Sequence, residues 1–135
     1  MDTAATFPGK FESLAEISIF VKKAAKDAGL NEDAIYAVEL AVDEACSNII
    51  EHAYGAEDAG DIRCACFVTD SGLKIILRDK GEPFNPDSVP EVDTSLPLDQ
   101  RKPGGAGVFL MRKVMDEVIF HFEQGENVLT LVKNK

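Results

Sequence analysis

IRCACFVTDSGLKIILRD, residues 62–79, is the stretch whose reading decides the fold. Side chains alternate across a strand, so Ile62, Cys64, Cys66 and Val68 share one face. Leu73, Ile75 and Leu77 share one face of the next run. Asp70-Ser71-Gly72 between them is a turn sequence, so the pattern predicts a hairpin of Ile62–Val68 with Leu73–Asp79. A hairpin with one apolar face needs a second layer to cover it.

The covering layer lies upstream. Leu14, Ile17, Val21, Ala24, Ala25 and Ala28 recur at helical spacing, which predicts a helix over Phe11–Ala28 with Gly29 as its C-cap. Asn31 then suits an N-cap, with Glu32 and Asp33 in the first turn beside the positive dipole end. Ile35, Val38, Val42, Ala45, Ile49 and Ala53 form one stripe on this second helix, which runs to about His52 and ends at Tyr54-Gly55. A short extended segment around Thr3–Phe7 precedes both helices.

Downstream of Asp79 the pattern breaks. Pro83, Pro86, Pro90, Pro97 and Pro103 punctuate a long segment, and loops of this length inside a domain are usually functional or disordered. A glycine run, Gly104-Gly105-Ala106-Gly107, leads into a helix from about Val108 to Met115. Two strands, Glu117–Phe122 and Asn127–Lys133, close the chain around Gln124-Gly125-Glu126. This order predicts one α+β domain over residues 1–135, a two-layer sandwich with helices on one face of a mixed or antiparallel sheet.

The bulk properties agree. The 135 residues are 45% hydrophobic and 28% charged, ordinary values for a globular chain. Lys plus Arg is 14 against 24 for Asp plus Glu, a net charge of −10. That balance disfavours nucleic acid and anionic membrane as direct partners. The N-terminus lacks the pattern of a secretory signal, and no apolar run reaches membrane-spanning length. Three cysteines, Cys46, Cys64 and Cys66, make no disulfide framework, which points to a reducing cytoplasm. They read as small core residues rather than metal ligands.

Three departures from the apolar pattern carry chemistry. Asp79 continues the inner face of Leu73, Ile75 and Leu77. A carboxylate there needs donors, such as a ligand's exocyclic amine, or else it simply begins a turn. Glu44 and Asn48 are i, i+4 neighbours beside the stripe of the second helix. They suit a metal held through oxygen, or a general base toward a hydroxyl, or a solvated polar rim. His52, a further turn along, suits the helix end. The glycine run before a helix suits phosphate, because glycines admit close approach and the helix N-terminus offers free N–H groups. It also reads as a plain loop–helix junction. Arg101 and Lys102 stand just before it, within reach of phosphate oxygens or merely as solubilising charges.

In order and spacing these segments resemble the boxes of the GHKL ATPases, the superfamily of gyrase, histidine kinases and mismatch-repair ATPases with the Bergerat fold. Asp43-Glu44-Ala45-Cys46-Ser47-Asn48 resembles the N box. Asp79-Lys80-Gly81-Glu82-Pro83-Phe84 resembles the G1 box, and Gly104-Gly105-Ala106-Gly107-Val108-Phe109-Leu110 the G2 box. The long segment falls where the superfamily carries its ATP lid, here about residues 87–103. The run from Ala41 to Tyr54, and Pro83-Phe84-Asn85-Pro86, are similar to the bacterial anti-sigma factor serine kinases, stand-alone domains of about this length.

The resemblance implies ATP and Mg²⁺ as cofactors and gives each residue a role. Asn48 would coordinate Mg²⁺, and Glu44 would be the general base toward the acceptor hydroxyl. Asp79 would accept from the adenine amino group, and Gly81 would let the chain pass close to the base. Gly105 and Gly107 would offer backbone N–H groups to the phosphates, and Arg101 would reach the γ-phosphate. His52, Pro83 and Phe84, with Gly104, Ala106 and Val108 of the G2 box, are counted among the nucleotide-binding residues. The implied partners are a sigma factor and a small anti-sigma-factor antagonist, and homodimers are common in the family. Two functions compete: a protein serine/threonine kinase, and a binding module that ATP gates without phosphotransfer. A structural domain with an incidental glycine loop is the third reading.

Overall fold

The computed structural model describes residues 2–84 and 105–135. The lid segment, Arg101 and Gly104 lie outside the described residues, as do the side chains of Gly105 and Ala106. The chain runs β1 (Asp2–Pro8), α1 (Ser13–Asp27), α2 (Glu32–Asn48), a π-helical turn (Ile49–Tyr54), β2 (Asp61–Thr69) and β3 (Gly72–Asp79). Then come α3 (Gly105–Val114), β4 (Glu117–Glu123) and β5 (Glu126–Asn134). The five strands form one sheet in the order β1-β2-β3-β5-β4, with every neighbouring pair antiparallel.

The hairpin of β2 and β3 pairs Cys64 with Leu77 and Cys66 with Ile75, so the expected apolar sets do share one face. With Leu129 and Leu131 of β5 these side chains are buried. They meet Ile17 and Val21 of α1, Val38, Val42 and Cys46 of α2, and Met111 of α3 in one core. Burial of these apolar groups is the main force holding helices to sheet. The opposite face, which carries Arg63, Lys74 and Arg78, has no helical cover among the described residues.

The helix ends follow their sequence signals. Gly29 takes φ +78°, and Leu30 N–H reaches back to the Ala25 carbonyl, which closes α1 in the manner of a glycine C-cap. Asn31 Oδ1 accepts from Ala34 N–H at 2.9 Å and opens α2. The helix expected from Phe11 begins instead at Ser13, because Lys10 to Leu14 first make tight turn bonds to the Pro8, Lys10 and Phe11 carbonyls. The segment around Thr3–Phe7 is a full edge strand.

Two boundaries differ in ways that matter for the site. The second helix loses its α-helical ladder at Asn48, and a π turn carries the chain to Tyr54. The stripe stays buried at Ile49 and Ala53, so apolar spacing alone did not disclose the change. The last helix begins at Gly105, not Val108, so Gly105, Ala106 and Gly107 form its first turn. Glycines favour loops by propensity, and here tertiary packing overrides that preference.

Candidate nucleotide site

The last turns of α2 present Glu44 and Asn48 toward the start of α3. Asn48 is only 9% exposed, and its Nδ2 is buried with no hydrogen-bond partner among the described residues. An orphaned buried amide is costly, so it marks a place where something else belongs. Gly107 closes against this pair. A methyl group there would stand 2.9 Å from Glu44 Oε2 and 3.3 Å from Asn48 Nδ2. The glycine therefore leaves the two polar groups a shared space. First-turn N–H groups of α3 lack intrahelical partners and point out of the helix end. Glu44 is half-buried. Desolvation, then the neighbouring Asp43 and Glu51, push its carboxyl above the ordinary carboxylate value.

The second half of the site lies at the end of β3. Asp79 is 3% exposed, with Oδ1 accepting from Gly81 N–H and from Asn127 Nδ2, each at 2.9 Å. Burial raises its pKa, and the two donors act in the opposite direction. Gly81 lies on the π turn: an added methyl would stand 2.5 Å from the Ala53 backbone. Glu82 N–H donates to the Ala53 carbonyl at 2.7 Å, which anchors this loop to the turn. A cavity opens between the halves, with Asn48, Ile49 and Met111 on one side and Asp79, Phe84 and Asn127 on the other. Phe84 and Phe120 stack at 5.2 Å between centroids and form its aromatic wall.

A wider cleft lies on the other side of the Asp79–Gly81 segment, lined by Tyr54, Arg63, Arg78 and Lys80. Asn48 does not line it. Arg63 and Arg78 face each other across β2 and β3, and their charges are met by Glu126 and Glu123. The cavity with the orphaned amide is therefore the better candidate site.

The fold brings Glu44, Asn48 and Gly107 together, and Asp79 and Phe84 line one cavity with Asn48, while Gly81 lies in the adjoining cleft. Pro83 lies in the adjoining cleft. Val108 is buried in the core just behind Gly107. His52 is exposed, with Nε2 3.9 Å from Glu51 Oε2, and does not line the cavity.

Two residues with evident structural parts around this site were given no role there by the sequence. Asn127 is the first, buried opposite Asp79. Tyr54 is the second: its hydroxyl donates to the Asp61 carbonyl at 2.6 Å and accepts from Lys80 N–H at 3.0 Å. It ties the end of the π turn to the start of β2 and the end of β3. A polar residue in step with Leu129 and Leu131 was a signal for Asn127, but its partner appears only once β5 is paired with β3.

Comparison with known proteins gives a consistent result. Residues 7–133 match the model of the histidine kinase-like ATPase domain. The serine-protein kinase RsbW of Halalkalibacterium halodurans is 32% identical over 132 residues, covering 95% of this chain and 80% of that protein. RsbW of Bacillus licheniformis is 33% identical over 125 residues, covering 90% and 78%. The crystal structure of the RsbU and RsbW domains of Rv1364c from Mycobacterium tuberculosis superposes with a TM-score of 0.70 over 99% of this chain and 32% of that one. At 15% identity it speaks for the fold.

Proposed function

The chain belongs to the histidine kinase-like ATPase domain family, and from that premise we propose that it is an ATP- and Mg²⁺-dependent protein serine/threonine kinase that acts as an anti-sigma regulatory factor. Its acceptor is a Ser or Thr hydroxyl on a small anti-sigma-factor antagonist, and it also binds a sigma factor. The observation that carries the reading is the buried amide of Asn48 beside Glu44, its Nδ2 without a partner among the described residues, with Gly107 leaving space before both. The names of the serine-protein kinase relatives support the choice of reaction, and the partners follow from the resemblance of the Ala41–Tyr54 run to the anti-sigma factor kinases.

The residues present fit a hydrated magnesium ion. An Asn side chain can turn its oxygen where the nitrogen is placed, and an amide oxygen beside a carboxylate is a hard-cation donor set. When bound, the ion supplies charge neutralisation across the phosphate oxygens. Asn48 would hold it through its amide oxygen, with Glu44 beside it. The first-turn N–H groups of α3 would take phosphate oxygens, and Asp79 would accept from the adenine amine. Glu44 would accept the proton of the incoming hydroxyl, and its raised pKa makes it a stronger base than an exposed carboxylate. Positioning of this kind supplies most of what phosphoryl transfer requires.

The test uses γ-labelled ATP, Mg²⁺ and the antagonist encoded beside this chain. Label on an antagonist Ser or Thr is the expected outcome. ATP binding without any transfer would replace the kinase with the ATP-gated binding module. In that case, partner affinity would have to differ between ADP and ATP.

A further inference from the structure

Tyr36, Leu40, Glu44 and Asn48 are successive i, i+4 neighbours on α2 and form one ridge of that helix. Each step along such a ridge turns about 40° around the axis, because four residues slightly exceed one turn. The ridge therefore winds out of the core toward the N-terminal end of α2. Exposure follows it. Asn48 is buried, Glu44 and Leu40 are half-buried, and Tyr36 is 68% exposed.

An exposed aromatic or a half-buried leucine needs no explanation singly. These two lie in line with Glu44, the group assigned above to receive the acceptor's proton. Leu40 stands outside the buried core cluster. Gly107 of α3 meets Glu44, and Leu110, one turn on from Gly107, is half-buried. Asp33 and Asp43, three residues from Tyr36 and Leu40 respectively, are exposed and give the ridge a negative border.

We propose that the Tyr36–Leu40 ridge is the docking ledge for the acceptor segment of the substrate protein, and that it selects a Ser or Thr in extended chain with apolar side chains two and four residues away and no Asp or Glu between. This inference rests on the kinase reading above. The spacing carries it. One ridge step is about 6 Å along the helix. Two residues of extended chain span about 6.6 Å, and every second side chain points the same way. A hydroxyl set at Glu44 thus puts the second residue over Leu40 and the fourth over Tyr36. On a helical segment, longer neighbours one turn away would overtop a short Ser side chain and hold it off the half-buried carboxylate. The Asp33 and Asp43 border repels carboxylates on the segment and favours Lys or Arg at the intervening positions.

The test is steady-state transfer from γ-labelled ATP to the antagonist used above, with the parent chain, Tyr36→Gln and Leu40→Gln. Gln keeps helix propensity at both positions. Apolar docking contacts hold ground state and transition state alike, so they act on KM. KM for the antagonist should rise roughly tenfold in Leu40→Gln and roughly threefold in Tyr36→Gln, with kcat and ATP affinity unchanged. Tyr36→Gln carries the test if Leu40→Gln does not fold. Exchanging the antagonist's residues two and four positions from the labelled hydroxyl for Gln should raise KM in the parent by a similar factor and add little in Leu40→Gln. An unchanged KM in the variants overturns the proposal with the kinase reading intact. A labelled hydroxyl flanked at those positions by Asp or Glu overturns it as well. If the variants keep their KM and instead lose the sigma-factor complex or self-association, the ridge serves that partner and the proposal falls. A parent that transfers no label removes the kinase reading and this inference with it.

Discussion

At Glu44, burial and two acidic neighbours act in the same direction on one carboxyl. In the chain free of nucleotide and Mg²⁺, the Glu44 carboxyl should therefore titrate above the ordinary carboxylate value of 4.5, as its side-chain NMR signal followed against pH would show. Glu44→Gln should keep ATP affinity within a few-fold and lose transfer by about 10²-fold or more, the usual scale for a general base. Wild-type transfer rates in that variant would remove Glu44 from the chemistry. Asp79 gives a second residue-scale expectation, in stability. Its folded pKa is raised, so the ionised form is disfavoured by folding. The stability it contributes is fully present below its ordinary value of 3.8 and is lost as pH rises through the higher folded value. Without nucleotide at pH 7, Asp79→Asn should melt no lower than the parent while losing ATP binding, a trade between stability and function that calorimetry and titration can check. Both residues stand out in the sequence, Asp79 because it ends an apolar set and Glu44 because it pairs with Asn48 beside an apolar stripe. Asn127 does not, because its meaning depends on a partner 48 positions away.

Two glycines separate local space from local strain. Gly81 faces backbone of the π turn, which cannot move cheaply, so Gly81→Ala should lower the melting temperature and abolish nucleotide binding together. Gly107 faces the tips of Glu44 and Asn48, which can swing aside. Inside α3 the change to Ala also gains up to about 1 kcal/mol in helix propensity. Gly107→Ala should thus melt near or above the parent yet lose most of its transfer activity. A matched fall in stability and activity for both variants would contradict this distinction. Element order, the Asn31 and Gly29 caps and both hairpins were legible because propensity and packing agree there. The π turn and the early start of α3 were not, since both depart from local preference where Ala53, Gly81, Glu44 and Gly107 meet.

For the whole molecule, the three boxes lie far apart in sequence: α2 and α3 pack their two together, and the sheet brings the third beside them, which is why their order identified the family before any one of them identified a site. Ligand that binds only the folded chain stabilises it by about 2.7 kcal/mol at a hundredfold excess over Kd. ATP with Mg²⁺ should therefore raise the melting temperature by several degrees, and Asn48→Ala should lose the part of that rise that depends on magnesium. No shift with either nucleotide preparation would leave the family fold without its ligand. The sheet order has one more consequence. β5 follows every other strand in the chain, yet it sits inside the sheet between β3 and β4, and it brings Asn127 to Asp79. During synthesis the hairpin of β2 and β3 emerges long before its neighbour exists. Until residue 127 and the strand after it are made, the Asp79 carboxylate has no Asn127 amide beside it and β3 keeps an open edge.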